Sequence, residues 1–299
     1  MKKAIKNIRS EQSVKDVISK GLEILFWAIM VLLAVSMIVL PCYMILTAFK
    51  KDNLECVMNP FGLPKQFNFD NFPIIFLIMS EKLSYSIGSM VWVSIFTSIF
   101  RPFMSLFFTT MFAYVIAKYK FIGGKFWYNL GIVVMIIPIV GNTASQMQVF
   151  KATGVYNNVF MYVMHSATGG FYGSNFLLLY AAFKGMSWNY AEAAFIDGAN
   201  DYTVLFKIYF PMVVPTFLSL FVLSFMSTWN DYATYKIWLP DHPNLAYGMY
   251  IFNLRANSLR VSLPQLMAGF TVVMIPTVVL YFITHNLITS KVFVGGLKG

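Results

Sequence analysis

A chain of 299 residues that is 58% hydrophobic and only 11% charged, with mean hydropathy +0.66, is excluded as a soluble domain, because a soluble surface needs roughly a quarter of all residues charged. Lipid is the solvent that fits, and apolar runs of about 20 residues, the length of a membrane helix, recur along it. The net charge of +10 is scattered over loops rather than gathered with aromatics into a nucleic-acid surface, so it reads as membrane orientation.

The opening MKKAIKNIRSEQSVKDVISKG is too long and too mixed in charge for a signal-peptide n-region. It predicts a cytoplasmic arm, residues 1–21, leading into a retained helix. Six crossings follow: about Leu22 to Ala48, Tyr85 to Ala117, Trp127 to Phe150, Val159 to Phe183 (broken by Gly169, Gly170 and Gly173), Pro211 to Trp229, and Gln265 to Ile288. Residues 22–84 then hold the first helix and an extracytoplasmic loop, and 85–299 form the core of an all-α, polytopic membrane protein. Cys42 and Cys56 make neither metal spacing nor a disulfide framework.

Lys and Arg in short loops set orientation. With the N-terminus inside, the inner segments hold Lys2, Lys3, Lys6, Arg9, Lys15, Lys20, Lys118, Lys120, Lys125, Lys184, Lys207, Lys291 and Lys298. The outer ones hold Lys50, Lys51, Lys65, Lys82, Lys151, Lys236, Arg255 and Arg260. The excess lies inside, which places both termini in the cytoplasm. The segment between the fourth and fifth crossings is then cytoplasmic.

That segment, AEAAFIDGANDYTVLFKIYFPMVVP from Ala191, concentrates Glu192, Asp197, Asp201 and Lys207 in a charge-poor chain. Asn189 followed by Glu192 has the spacing of a helix N-cap with a reciprocating carboxylate. Tyr190 to Ile196 supplies two helical turns with Ala191, Ala194 and Phe195 on one face, and Gly198 suits the left-handed residue that ends them. A second helix starts at Asn200 or Asp201, with Leu205, Ile208 and Tyr209 pointing one way, and Pro211 marks re-entry into lipid. An amphipathic connector accounts for the charges. Small alanines beside Glu192 and a hinge glycine describe a knob that another protein grips.

Glu192-Ala193-Ala194, Asp197-Gly198-Ala199, Lys207-Ile208 and Pro211 resemble the EAA loop of ABC importer permeases, and EAAFIDGA is closest to the carbohydrate-uptake branch. AYVIAKYKF (from Ala113), IPIVGNTASQMQVFKATGVYNN (from Ile137), Trp229-Asn230-Asp231 and the closing VFVGGLKG resemble, in the same order, further segments of the maltose-type second permease. The resemblance covers about Tyr85 to Gly299. It implies a half-channel that translocates a sugar or oligosaccharide. Its implied partners are a homologous second permease, two ATP-binding subunits and an extracytoplasmic solute-binding protein. Glu192, Ala193, Ala194, Asp197 and Gly198, within a coupling loop at 187–210, would grip the ATPase. The outer loop Tyr232 to Leu263 would touch the binding protein. No G-x-x-x-x-G-K-[ST] motif occurs, so ATP hydrolysis would belong to other chains; no catalytic residue, cofactor or metal is expected here.

Arg101-Pro102 interrupts the apolar run from Val91 to Ala117. An intramembrane arginine is costly and points to function; a snorkelling side chain in a long helix is the plainer reading. Asn230 and Asp231 beside Trp229 suit sugar hydroxyls, or simply end a helix with an interfacial anchor. Arg101, Asn230 and Asp231 are therefore candidates for the pathway. The rival function is an ion-coupled secondary transporter acting without an ATPase, which requires carboxylates well inside the spans.

Overall fold

The computed structural model describes residues 2–83, 85–136, 141–169 and 172–291. The closing VFVGGLKG, Lys298 within it, Gly170, and the IPIV opening of the third-crossing segment lie outside the described residues. Among the described residues there are helices and no strand. The helices are α1 (Lys2–Ala48), α2 (Asn53–Met58), α3 (Asn71–Leu83), α4 (Ile87–Lys118), α5 (Gly124–Ile136), α6 (Thr143–Ala152) and α7 (Val159–Gly169), then α8 (Ser174–Lys184), α9 (Asn189–Ile196), α10 (Asp201–Asn230), α11 (Ala233–Trp238), α12 (Leu245–Arg255) and α13 (Leu263–Lys291). The chain divides into two compact units, Met1–Ile75 with Val261–Thr271, and Phe76–Arg260 with Val272–Gly299.

In the first unit α1 runs from the arm through the first apolar segment as one helix. Ile24, Leu32, Met37 and Leu40 are all exposed, as expected of a helix apolar on every side that meets lipid or a partner. The outer loop that follows is held by polar groups working on backbone. Asp52 caps α2 by accepting from the Glu55 N–H at 2.9 Å. Glu55 accepts from the Lys51 and Lys65 N–H groups at 2.9 and 2.7 Å, and these bonds lower its carboxyl pKa. Lys50, counted above among outer-surface charges, is wholly buried. Its Nζ donates to the carbonyls of Asn59 (2.5 Å) and Pro60 (2.9 Å), so it is a structural staple.

The second unit is built on α4, which packs against α7, α8 and α10. Ser94, Thr97, Ser98, Thr109 and Thr110 are buried along α4. Small residues let helices approach closely in lipid, and the Thr97, Thr109 and Thr110 hydroxyls return to their own helix carbonyls four residues back. Large rings fill the space beyond: Tyr114, Phe176, Phe183 and Tyr209 share one core. Trp229 is also buried, and its Nε1 donates to the Val273 carbonyl at 2.9 Å. It joins α10 to α13 and is not an interfacial anchor.

Four segments are long and apolar enough to cross a membrane: Ser19–Ala48, Ile87–Lys118, Asp201–Asn230 and Leu263–Asn286. They match the first, second, fifth and sixth expected crossings. The third, expected as one helix, consists of α5 and α6, of 13 and 10 residues, and the fourth of α7 and α8, of 11 each. Each half is shorter than the roughly 20 residues a span requires. Gly141, before α6, has φ +79°, a conformation closed to a continuous helix of ordinary residues. The fifth crossing also begins earlier than Pro211. A π-helical segment, Val204–Tyr209, runs directly into the α-helical part that carries Pro211.

Candidate coupling loop and membrane cleft

The polar segment folds as its glycine dictates. α9 closes in a Schellman motif: the Gly198 N–H donates to Phe195 O at 3.0 Å and the Ala199 N–H to Ala194 O at 2.9 Å, with Gly198 at φ +82°. These two bonds satisfy carbonyls that a helix end otherwise orphans. Asn200 then caps α10, its Oδ1 accepting from the Thr203 N–H at 2.8 Å. The start of α9 differs from expectation. Asn189 is already helical and makes no side-chain cap; its N–H donates to Ser187 Oγ at 3.2 Å. The Ala191 and Glu192 N–H groups, which an Asn189 cap would serve, donate instead to Trp188 O at 2.8 and 3.2 Å.

Ala191 is buried and Ala194 half-buried against the core. Phe195, expected on the same face, is 37% exposed, because Trp188 occupies the space beside it with ring centroids 6.3 Å apart. Glu192, Ala193, Ile196, Asp197 and Gly198 are exposed, so the outer face of α9 presents a carboxylate, small residues and an apolar tip. Glu192 makes no ion pair among the described residues. It lines a groove of about 460 Å³ with Lys118, Tyr119, Lys184 and Trp188.

Three hydrogen bonds tie this loop to the helices around it. Lys118 Nζ donates to Met186 O at 2.6 Å, Tyr119 OH to Asp201 Oδ1 at 2.6 Å, and Tyr209 OH to Ser187 O at 2.9 Å. Burial, then the bond to Asp201, raises the Tyr119 pKa. Sequence reasoning found AYVIAKYKF only as a resembling segment and missed these tethers; an aromatic and a lysine ending an apolar run opposite a polar loop are the signal it offered.

At the far end of α10 the structure brings two of the three pathway candidates together. Arg101 Nη1 lies 3.9 Å from Asp231 Oδ2, and the guanidinium sits over the Tyr162 ring, 4.9 Å from its centroid. They border a second cavity of about 460 Å³, which Gln146, His165, Ser227 and Thr234 also line. Asn230 does not line it: its side chain is exposed and Nδ2 donates to Met226 O at 2.8 Å. Tyr162, His165 and Gln146 carried no signal, since polar residues on an apolar stretch look alike whether they face a cavity or a neighbouring helix. Among the described residues no group of three or more His, Cys, Asp or Glu is placed to hold a metal.

Helices and loop together have the architecture of an ABC importer permease. By structure the chain is similar, with TM-score 0.72 and 20% identity over 89% of this chain and 96% of the other, to a chain of a bacterial ABC transporter involved in the import of the acidic polysaccharide alginate. No family model matches. By sequence it is 26% identical over 268 residues, 86% of this chain and 91% of its relative, to the probable starch degradation products transport system permease protein AmyC of Thermoanaerobacterium thermosulfurigenes. It is 24% identical over 270 residues, 87% and 91% of the two chains, to the arabinooligosaccharides transport system permease protein AraQ of Halalkalibacterium halodurans. The chain thus has the fold of a multi-pass ABC importer permease subunit, and these two relatives are permeases of carbohydrate transport systems.

Proposed function

We propose that this subunit moves a sugar or oligosaccharide handed over by an extracytoplasmic solute-binding protein. It forms a half-channel with a homologous second permease and is driven by two ATP-binding subunits. Both termini face the cytoplasm, residues 1–21 form the inner arm, residues 22–84 the first crossing and outer loop, and the loop at 187–210 meets an ATPase groove through Glu192, Ala193, Ala194, Asp197 and Gly198. The observation that carries the reading is the tethered loop. Met186, Ser187 and Asp201 are bonded to Lys118, Tyr209 and Tyr119, and α10 continues without a break from Asp201 to Asn230. A push on α9 is therefore passed to the end of α4 and along α10, toward the cleft where Arg101 and Asp231 meet.

An ion-coupled transporter needs carboxylates well inside its spans. The described spans hold carboxylates only at their ends, Glu23 and Asp201. The deciding experiment is gentle purification of the tagged chain, followed by uptake in proteoliposomes. The reading expects ATP-binding subunits in the complex and vanadate-sensitive uptake that survives collapse of the ion gradients. Uptake by the lone chain, insensitive to vanadate and abolished by a protonophore, overturns it.

A further inference from the structure

We propose that the cleft between Arg101 and Asp231 is a sugar subsite within this subunit, taking an uncharged glycosyl unit through two neighbouring hydroxyls. The inference rests on the import reading above and assigns what this subunit itself touches.

The two charged groups are held in place yet left chemically open. The Arg101 guanidinium rests over the Tyr162 ring, 4.9 Å from its centroid, and both side chains line the cleft. The guanidinium carries five donors, and its one ion-pair partner among the described residues is Asp231 at 3.9 Å. A closed arginine–carboxylate pair sits at about 2.7–2.9 Å, often with two parallel bonds. At 3.9 Å the two groups are not directly hydrogen-bonded, and a hydroxyl oxygen set off the line between them can reach both at ordinary hydrogen-bond distances. Asp231 is fixed from the other side: its Oδ1 accepts from the Thr234 N–H at 3.0 Å, and its Oδ2 faces Arg101. It also ends α10, where a helix dipole disfavours a negative charge, so the carboxylate gains from a donor brought to Oδ2.

The charge pattern selects the ligand class. The pair is neutral as a whole: a uronate drawn to Arg101 is repelled by the adjacent Asp231, and a cationic solute drawn to Asp231 is repelled by Arg101. A vicinal diol suits both, one hydroxyl donating to Asp231 Oδ2 and the other accepting from Arg101 Nη. Ser227, Thr234 and Gln146 along the same cavity extend the supply of donors and acceptors. At about 460 Å³ the space is in the range of small-ligand sites. Arg101 stands on α4 and Asp231 at the end of α10, so movement of the tethered loop changes their separation and with it the hold on the sugar.

The test is equilibrium binding of labelled maltotriose, arabinotriose and trigalacturonate to the complete importer in nanodiscs without its binding protein, beside sugar moved per ATP in proteoliposomes with it. The binding protein is omitted from the first assay because its own selectivity would mask that of the cleft. The expected result is binding of a neutral probe that Arg101→Met weakens about tenfold or more, the loss of a charge-assisted hydrogen bond. Asp231→Asn should shift the ratio of trigalacturonate to neutral binding upward by a similar factor. Retention of the partner subunits is measured on both variants as the control for folding. If the pair merely latches α4 to α10, the charge swap Arg101→Asp with Asp231→Arg restores transport and the probe ratio never moves; that overturns the subsite. A wild-type preference for trigalacturonate, or sugar transport with no probe bound, also overturns it while leaving the import reading intact. Absence of any sugar transport by the wild-type importer removes the import reading and the subsite together.

Discussion

The Tyr119 hydroxyl donates to the Asp201 carboxylate at 2.6 Å, joining the residue just after α4 to the first residue of α10 across 82 positions of sequence. A phenol bonded to a carboxylate is a stiff link, and its geometry ties two long helices to one short loop. Tyr119→Phe keeps the ring on Trp188 and removes this bond together with the longer, 3.4 Å contact to the Tyr114 hydroxyl, at a cost of about 1.5–3 kcal/mol for the bond to a charged acceptor. The expected phenotype is an assembled importer that hydrolyses ATP but moves several-fold less sugar per ATP. The link also has a stated pH range. The neutral phenol is the donor and its pKa is raised, so the bond persists through neutral pH and is lost only above the ordinary tyrosine range near 10. Uptake per ATP equal to wild type in Tyr119→Phe would show that the tether carries no force.

Lys50 supports a second prediction. Its ammonium is buried against two carbonyls, and leaving such acceptors unpaired costs about 1–3 kcal/mol each. Lys50→Ala is expected to loosen the outer segment around residues 49–71, read as faster limited proteolysis there. Cleavage at the wild-type rate would mean that water replaces the ammonium without loss.

The outer loop after the fifth crossing gives a third. It is folded, with Leu245, Met249 and Phe252 buried and Asn244 capping α12 by accepting from the Tyr247 N–H. Excising this loop would therefore break the core, and point changes test it better. Leu254, Arg255 and Arg260 are exposed. Arg255→Glu with Arg260→Glu should cut the stimulation of ATP hydrolysis by loaded binding protein several-fold, through opposed charge at the contact, with basal hydrolysis unchanged. Full stimulation would move the contact elsewhere on the outer face.

What the sequence made legible follows the range of the interactions. Long apolar runs, and the Schellman turn at Ile196-Asp197-Gly198, are local: one needs only consecutive greasy residues, the other only a glycine after two helical turns. The N-cap of α9 was misread by local reasoning too, because the Ala191 and Glu192 amides turn to the Trp188 carbonyl rather than to the Asn189 side chain, and spacing alone does not say which wins. The halves α5 and α6 were invisible because apolar composition looks the same on either side of a break. Lys118 with Met186, Tyr119 with Asp201, and Arg101 with Asp231 are pairings across the fold. Nothing in the neighbourhood of Arg101 distinguishes a snorkelling side chain from one drawn to a helix end more than a hundred residues away. Asn230 shows the reverse: adjacent to Asp231, it turns outward and bonds its own helix.

The central claim is that α9 and its glycine turn transmit ATP-driven movement, and two variants measured together test it. Glu192→Ala removes an exposed carboxylate free of ion pairs among the described residues, a contact worth about 1.5–3 kcal/mol if it is bonded in an ATPase groove. Gly198→Val places a β-branched residue at φ +82°, which a side chain resists by roughly 1–2 kcal/mol. No atom lies within 4 Å of the added Cβ, so the effect comes from backbone geometry rather than from a clash. The measurement is retention of the ATP-binding subunits and sugar uptake on the same purified preparations. The account predicts that both variants still insert and pair with the second permease, while retention weakens and uptake falls severely, more so in Gly198→Val. Full retention with normal uptake in both would contradict it and leave residues 187–210 an ordinary connector.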